Sequence, residues 1–251
     1  MNQPFNFKRI GLSIYRDVVL LRNTIVTALL VSGGLLFIGF LFSLWGDRLV
    51  TASEFGGLFG KIYVPLGLLF VFSIFKEAHD KKANHFYFAL PLSPLERLTA
   101  TWFATSVLYT LFFTLFAFFV GQLAILLASL LSKTSFHGLS IFSESYGQSV
   151  KFYMLVQPLF LLGAIGFTKN RIGKTLLLLL LAFFSFFIYN GILFSMFNMG
   201  YDMFSGDSSV SAAFDSTSAD FEIIGKWFWF IILGPVMLIA AYFKLIEKEV
   251  Y

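Results

Sequence analysis

Few residues of this 251-residue chain could do chemistry, and their spacing removes most of that chemistry. Gly173-Lys174-Thr175 has the ending of a phosphate-binding loop, G-x-x-x-x-G-K-[ST], in which backbone N–H groups and the lysine hold phosphates. The first glycine of that pattern falls at Thr168; Gly166 is two residues too early, and an apolar run stands where a strand is required. Lys169, Arg171 and Lys174 therefore read as a positive loop. His79 and His85 flank Asp80, but residues six apart do not share a helix face, where neighbours lie three or four apart, so no metal site is expected. Ser185 and Ser195 lack a G-x-S-x-G setting, and no H-E-x-x-H occurs. The absence of cysteine excludes disulfides, thiolate metal sites and cysteine nucleophiles. No catalytic residue, cofactor site or metal site is expected, and the chain reads as no enzyme.

The most informative stretch runs from Lys76 to Arg97, K-E-A-H-D-K-K-A-N-H-F-Y-F-A-L-P-L-S-P-L-E-R. Its first half is charged, with Glu77, Asp80, Lys81, Lys82 and His85; Phe86, Tyr87, Phe88 and Leu90 follow, then Pro91. Ser93 with Glu96 three residues later is a capping box, and Pro94 occupies the first helical position, where its missing N–H costs nothing. A helix is expected to start near Pro94. Clustered aromatics in a loop need burial. Two readings stand: a helix lying on the membrane surface, or a docking element for a partner.

The elements that position these residues are apolar. The chain is 58% hydrophobic and 20% aromatic, with 35 phenylalanines, and only 13% charged. Soluble domains carry about 25% charged residues and cannot hide so much apolar surface. The expected fold is all-α: one domain over 1–251 with about six spans, at 24–45, 62–75, 102–131, 152–167, 175–197 and 227–245. The second and fourth are short and hold Pro65 and Pro158. With both ends inside, inner segments hold Lys8, Arg9, Arg16, Arg22, Lys76, Lys81, Lys82, Arg97, Lys169, Arg171, Lys174, Lys244 and Lys248; outside fall only Arg48, Lys61, Lys133, Lys151 and Lys226. The positive-inside rule thus places both termini in the cytoplasm. Positive charges punctuate apolar runs without forming one basic face, so the net charge of +4 does not point to nucleic acid.

Phe7, Ile10, Ile14, Val18 and Leu21 recur at three or four beside Lys8, Arg9 and Arg16, which predicts an amphipathic interfacial helix in 1–23 held by membrane lipids. The first apolar run lacks a cleavage site and reads as an uncleaved span. Residues 198–226 read as an acidic extracytoplasmic loop with Asp202, Asp207, Asp215, Asp220 and Glu222, either solvated or with a substrate-gating or re-entrant role, and 205–219 reads as flexible. Span centres lack ionisable residues, the usual mark of proton- or sodium-coupled carriers. Ser73, Gln122, Gln157, Asn190 and Asn198 read as interhelical hydrogen-bond partners, with Asn190 a candidate for the substrate path.

This layout, with the helix ahead of the first span and the segment Leu90-Pro91-Leu92-Ser93, resembles the permease subunits of type-2 ABC transporters, bacterial exporters with six spans. The resemblance covers nearly the whole chain in layout and rests on one short motif. It implies that residues 76–101 form a coupling loop docking on a separate ABC ATP-binding subunit. Glu77, Asp80, Lys81, Lys82, His85, Phe86, Tyr87, Leu90, Pro91 and Ser93 are its candidate residues. It also implies a substrate path formed with a second permease copy or a homologous permease, in a bacterial cytoplasmic (inner) membrane. The alternative is a non-transporting membrane anchor or assembly subunit that recruits a cytoplasmic partner.

Overall fold

The computed structural model describes residues 5–46, 52–80, 84–132, 143–197 and 212–250. Of these, 93% are helical and none is in a strand. The helices are α1 Phe7–Gly46, α2 Ala52–Ile74, the short α3 Lys76–His79 and α4 Asn84–Phe88, and α5 Pro94–Phe103. A π-helical segment, Ala104–Leu108, joins α5 to α6 Tyr109–Ser132. Then come α7 Glu144–Gly166, α8 Arg171–Phe197 and α9 Ala212–Trp227, with a second π-helical segment, Phe228–Leu233, leading into α10 Gly234–Val250.

Five helical stretches among the described residues are long and apolar enough to cross a membrane: Phe7–Phe42, Gly56–Ile74, Pro94–Leu127, Glu144–Gly166 and Arg171–Met196. The chain is a polytopic helical membrane protein. The expected sixth span, 227–245, falls across the second π-helical segment and α10.

Three expectations need correction. The second and fourth spans are not short, since α2 and α7 each have 23 residues. Lys61 and Lys151 end the apolar runs but not the helices, because both side chains are exposed while the backbone ladder continues. The interfacial helix of 1–23 is not a separate element: from Phe7 it runs unbroken into the first span as one 40-residue helix. Finally, the later half of the supposed loop 198–226 is helical from Ala212, so Asp215, Asp220 and Glu222 lie on α9. Acidic residues depressed the hydropathy there without breaking the helix, since neither glycine nor proline interrupts residues 212–224. The part at 198–211 lies outside the described residues.

Two core clusters stack along the bundle. One holds Phe72, Phe75, Tyr87, Leu98, Phe160, Leu161, Ile165 and Leu245. The other holds Leu36, Phe40, Phe59, Tyr63, Phe113, Tyr146 and Tyr153. The most extensive helix pair is α2 with α7. Glycine permits it: a Cβ on Gly60 would overlap the Ser149 side chain, and one on Gly67 would lie 2.5 Å from the Tyr153 ring and 2.6 Å from the Tyr109 ring. Small residues at such contacts let membrane helices approach closely.

Candidate functional site

One end of the bundle gathers the start of α1, the loop after α2, the start of α5 and the end of α10. The expected capping box forms. Ser93 Oγ accepts the Glu96 N–H at 3.2 Å, and Glu96 Oε2 accepts the Ser93 N–H at 2.9 Å. The carboxylate also reaches α1: Oε1 accepts the Asn6 N–H at 2.7 Å and lies 3.0 Å from the Arg9 guanidinium. Glu96 is fully buried, and the three contacts to its carboxylate, from Ser93, Asn6 and Arg9, are what make its burial tolerable. A residue that caps α5 thereby fastens the start of α1 to it.

Arg97 is buried beside it and donates to the Tyr87 carbonyl at 3.2 Å, with its guanidinium 4.7 Å from the Tyr87 ring centroid. Arg16 of α1 lies 6.0 Å from the same ring and donates to Glu77 at 2.5 Å. The loop between α2 and α5 is thus pinned by a cation–π stack and two charge-assisted contacts. Among the basic residues expected to face lipid, Arg9 and Arg16 are turned inward onto carboxylates of the same chain.

His79 is also turned inward. Its Nε2 lies 2.7 Å from the Ala164 carbonyl, which requires a proton there, so Nδ1 accepts from Lys248 at 3.1 Å. Burial pushes the His79 imidazole down to about 4, with the neighbouring Lys248 and Arg171 charges acting in the same sense. Burial, then the Arg171 and Lys244 charges, lowers Lys248 to about 8. Arg171 donates to the carbonyls of Phe72 and Phe75 at 3.4 and 3.0 Å, capping the end of α2.

The candidate loop residues therefore separate into two groups. Tyr87 and Ser93 are structural, and Tyr87 is only 3% exposed, which removes it as a contact for a partner. Glu77 is committed to Arg16. Asp80, His85 and Pro91 are exposed, and Leu90 is half-buried. Lys81, Lys82 and the Phe86 side chain lie outside the described residues. Asn190 is not brought to this end: it is exposed on α8, and its amide donates to its own helix at the Phe186 carbonyl, 2.8 Å away.

Sequence reasoning missed a polar aromatic cluster in the membrane-spanning part. The Tyr63 hydroxyl pairs with Thr110 at 2.7 Å, and the Tyr146 hydroxyl with Thr114 at 2.6 Å. Tyr109 donates to the Tyr63 carbonyl at 2.6 Å, and the Tyr63 and Tyr109 rings stack with centroids 5.3 Å apart. Tyr153 donates to the Thr105 carbonyl, and Gln157 to the Thr105 hydroxyl, both at 2.6 Å. Gln157 was expected as an interhelical partner; the tyrosines were counted as apolar bulk. The available signal was chemical: a buried Tyr hydroxyl must find a partner.

Compared with known proteins, the chain matches no family model, no curated protein and no solved structure. The class defined by the fold is that of polytopic helical membrane proteins.

Proposed function

We propose that this chain is the membrane-spanning permease subunit of an ATP-driven export system of the ABC type. It works as a pair, with itself or a homologous permease, and a separate ATP-binding subunit drives it. Its site is a bacterial cytoplasmic membrane, with both termini and the 76–93 loop on the cytoplasmic side. The observation that carries this reading is the build of that loop. Arg97 and Arg16 clamp it to α5 and α1, while Asp80, His85 and Pro91 stay exposed. A motor protein can move membrane helices only through a rigid contact, and a clamped loop with exposed residues supplies one. The contiguity of α5 with the third span gives the movement a path into the bundle.

The test is affinity purification of the full-length chain from its native membrane, followed by mass spectrometry. The reading expects an ABC ATPase in the eluate at near-stoichiometric level, lost on the double exchange Asp80→Lys with His85→Glu. Recovery of a partner without an ATPase would favour the anchor reading.

A further inference from the structure

The third span contains a π-helical segment, Ala104–Leu108, packed against α7. Such segments carry one residue more than an α-turn. In an α-helix the Tyr109 amide would close on the Thr105 carbonyl; here it is shared between the Ala104 and Ser106 carbonyls. The carbonyl passed over is taken by the Tyr153 hydroxyl of α7, 2.6 Å away. One turn further along α7, Gln157 donates to the Thr105 hydroxyl, while its Oε1 is fully buried and has no hydrogen-bond partner. An unpaired buried acceptor is costly. It lies four residues from Tyr153, on the same face of the same helix.

These facts define a second arrangement of the same atoms. If the Tyr109 amide reclaims the Thr105 carbonyl, the Tyr153 hydroxyl is released and Gln157 Oε1 stands one turn away as its new acceptor. Both arrangements satisfy the Thr105 carbonyl, and the second also satisfies Gln157. We propose that the third span is a two-register helix, with Tyr153 and Gln157 as the latch that selects between a π and an α turn at residues 104–108. The change shifts α5 by one residue, a turn of about 100° relative to α6. Glu96 and Arg97 ride on α5, so the turn pulls the clamp away from Asn6 and Arg9. A load on the 84–93 loop reaches the latch through Tyr87 and Arg97. As a coupling device this rests on the transport reading; the register change itself does not.

The test uses the full chain in lipid nanodiscs without any ATPase, so its failure would leave the transport reading standing. The sequence has no cysteine, so Leu12→Cys with Leu95→Cys, both at exposed sites on α1 and α5, accepts two spin labels specifically. Electron–electron distance measurement reads the turn of α5 against α1. The expected result is two populations in the parent. Gln157→Leu removes the acceptor that only the α register uses, so it shifts their ratio toward the π register by about fivefold, the factor that one net hydrogen bond of about 1 kcal/mol represents. Deleting Val107 removes the extra residue while both flanking helices keep their faces, so it should leave one population. Adding Gln157→Leu to the deletion should then change nothing. An unchanged distribution in Gln157→Leu overturns the proposal, as does a shift that persists in the deletion background. If Gln157→Leu fails to fold, the deletion alone decides: a distribution equal to the parent's overturns it.

Discussion

Helices α7 and α8 follow one another across a short turn in which Asn170 takes a left-handed φ of 50°, yet they make opposite uses of the membrane. The most apolar stretch of α8 has mean hydropathy 2.4 and none of it is buried within the chain, whereas that of α7 has 1.4 and is 44% buried. The clearest span in the sequence is the one least engaged in the fold. The reason lies in the solvent. Lipid is as apolar as leucine, so leucine and phenylalanine gain little by leaving it for another helix. What draws helices together is close approach and hydrogen bonding: Gly163 against Thr175, and Tyr153 and Gln157 against Thr105.

That contrast can be broken most sharply by truncating one large aromatic in each helix. Tyr153→Ala on α7 is expected to cost about 4 kcal/mol, as a buried aromatic loses its contacts. Phe187→Ala on α8, 68% exposed, is expected to stay within about 0.5 kcal/mol. Unfolding in mixed micelles, followed by circular dichroism, measures both. Equal costs would mean that another protein surface covers α8 in the assembled state. Gly67→Leu should be next, about 2 kcal/mol, because its side chain must enter the space of the Tyr153 and Tyr109 rings. The same readout on Gly191→Leu, where no atom lies within 4 Å of a Cβ, should show little change. Ser93→Ala should cost about 1 kcal/mol by removing the α5 cap, seen as faster hydrogen exchange of the Glu96 amide.

The smallest effect is set by pH. The contact among His79, Ala164 and Lys248 needs a neutral imidazole, and folding lowers that group from 6.5 to about 4. A base depressed in this way binds more protons when released. The contact is therefore fully present above about 6.5 and weakens as pH falls toward 4. A spin label at the exposed position 247 should gain mobility between about pH 7 and pH 4.5 as the end of α10 loosens. Mobility that does not change with pH would contradict the assignment.

Legibility in the sequence followed the same division. Hydropathy located α8 and the bulk of α1 and α6, because those helices face lipid and their composition reports it. The cap at Ser93 was legible because it is local, requiring only three residues at fixed spacing. The true lengths of α2 and α7 were not, since Lys61 and Lys151 break an apolar run but not a backbone ladder. The clamp was legible in part: the aromatics of the loop called for burial. That Tyr87 would meet Arg97, with Glu96 reaching Asn6 across 90 residues, depends on contacts that no window of sequence contains.

Under the proposed transport function, the 76–93 loop is gripped from within and its exposed residues meet an ATP-driven partner. The most direct measurement is recovery of an ABC ATPase with the parent chain and with two variants, at matched membrane levels. Asp80→Lys with His85→Glu alters only exposed groups and should lower recovery at least about tenfold with helix content unchanged, as expected when charged contacts of an interface are reversed. Arg97→Leu should lower recovery by freeing the loop, with hydrogen exchange rising across residues 84–93. Full recovery on both variants would contradict the claim.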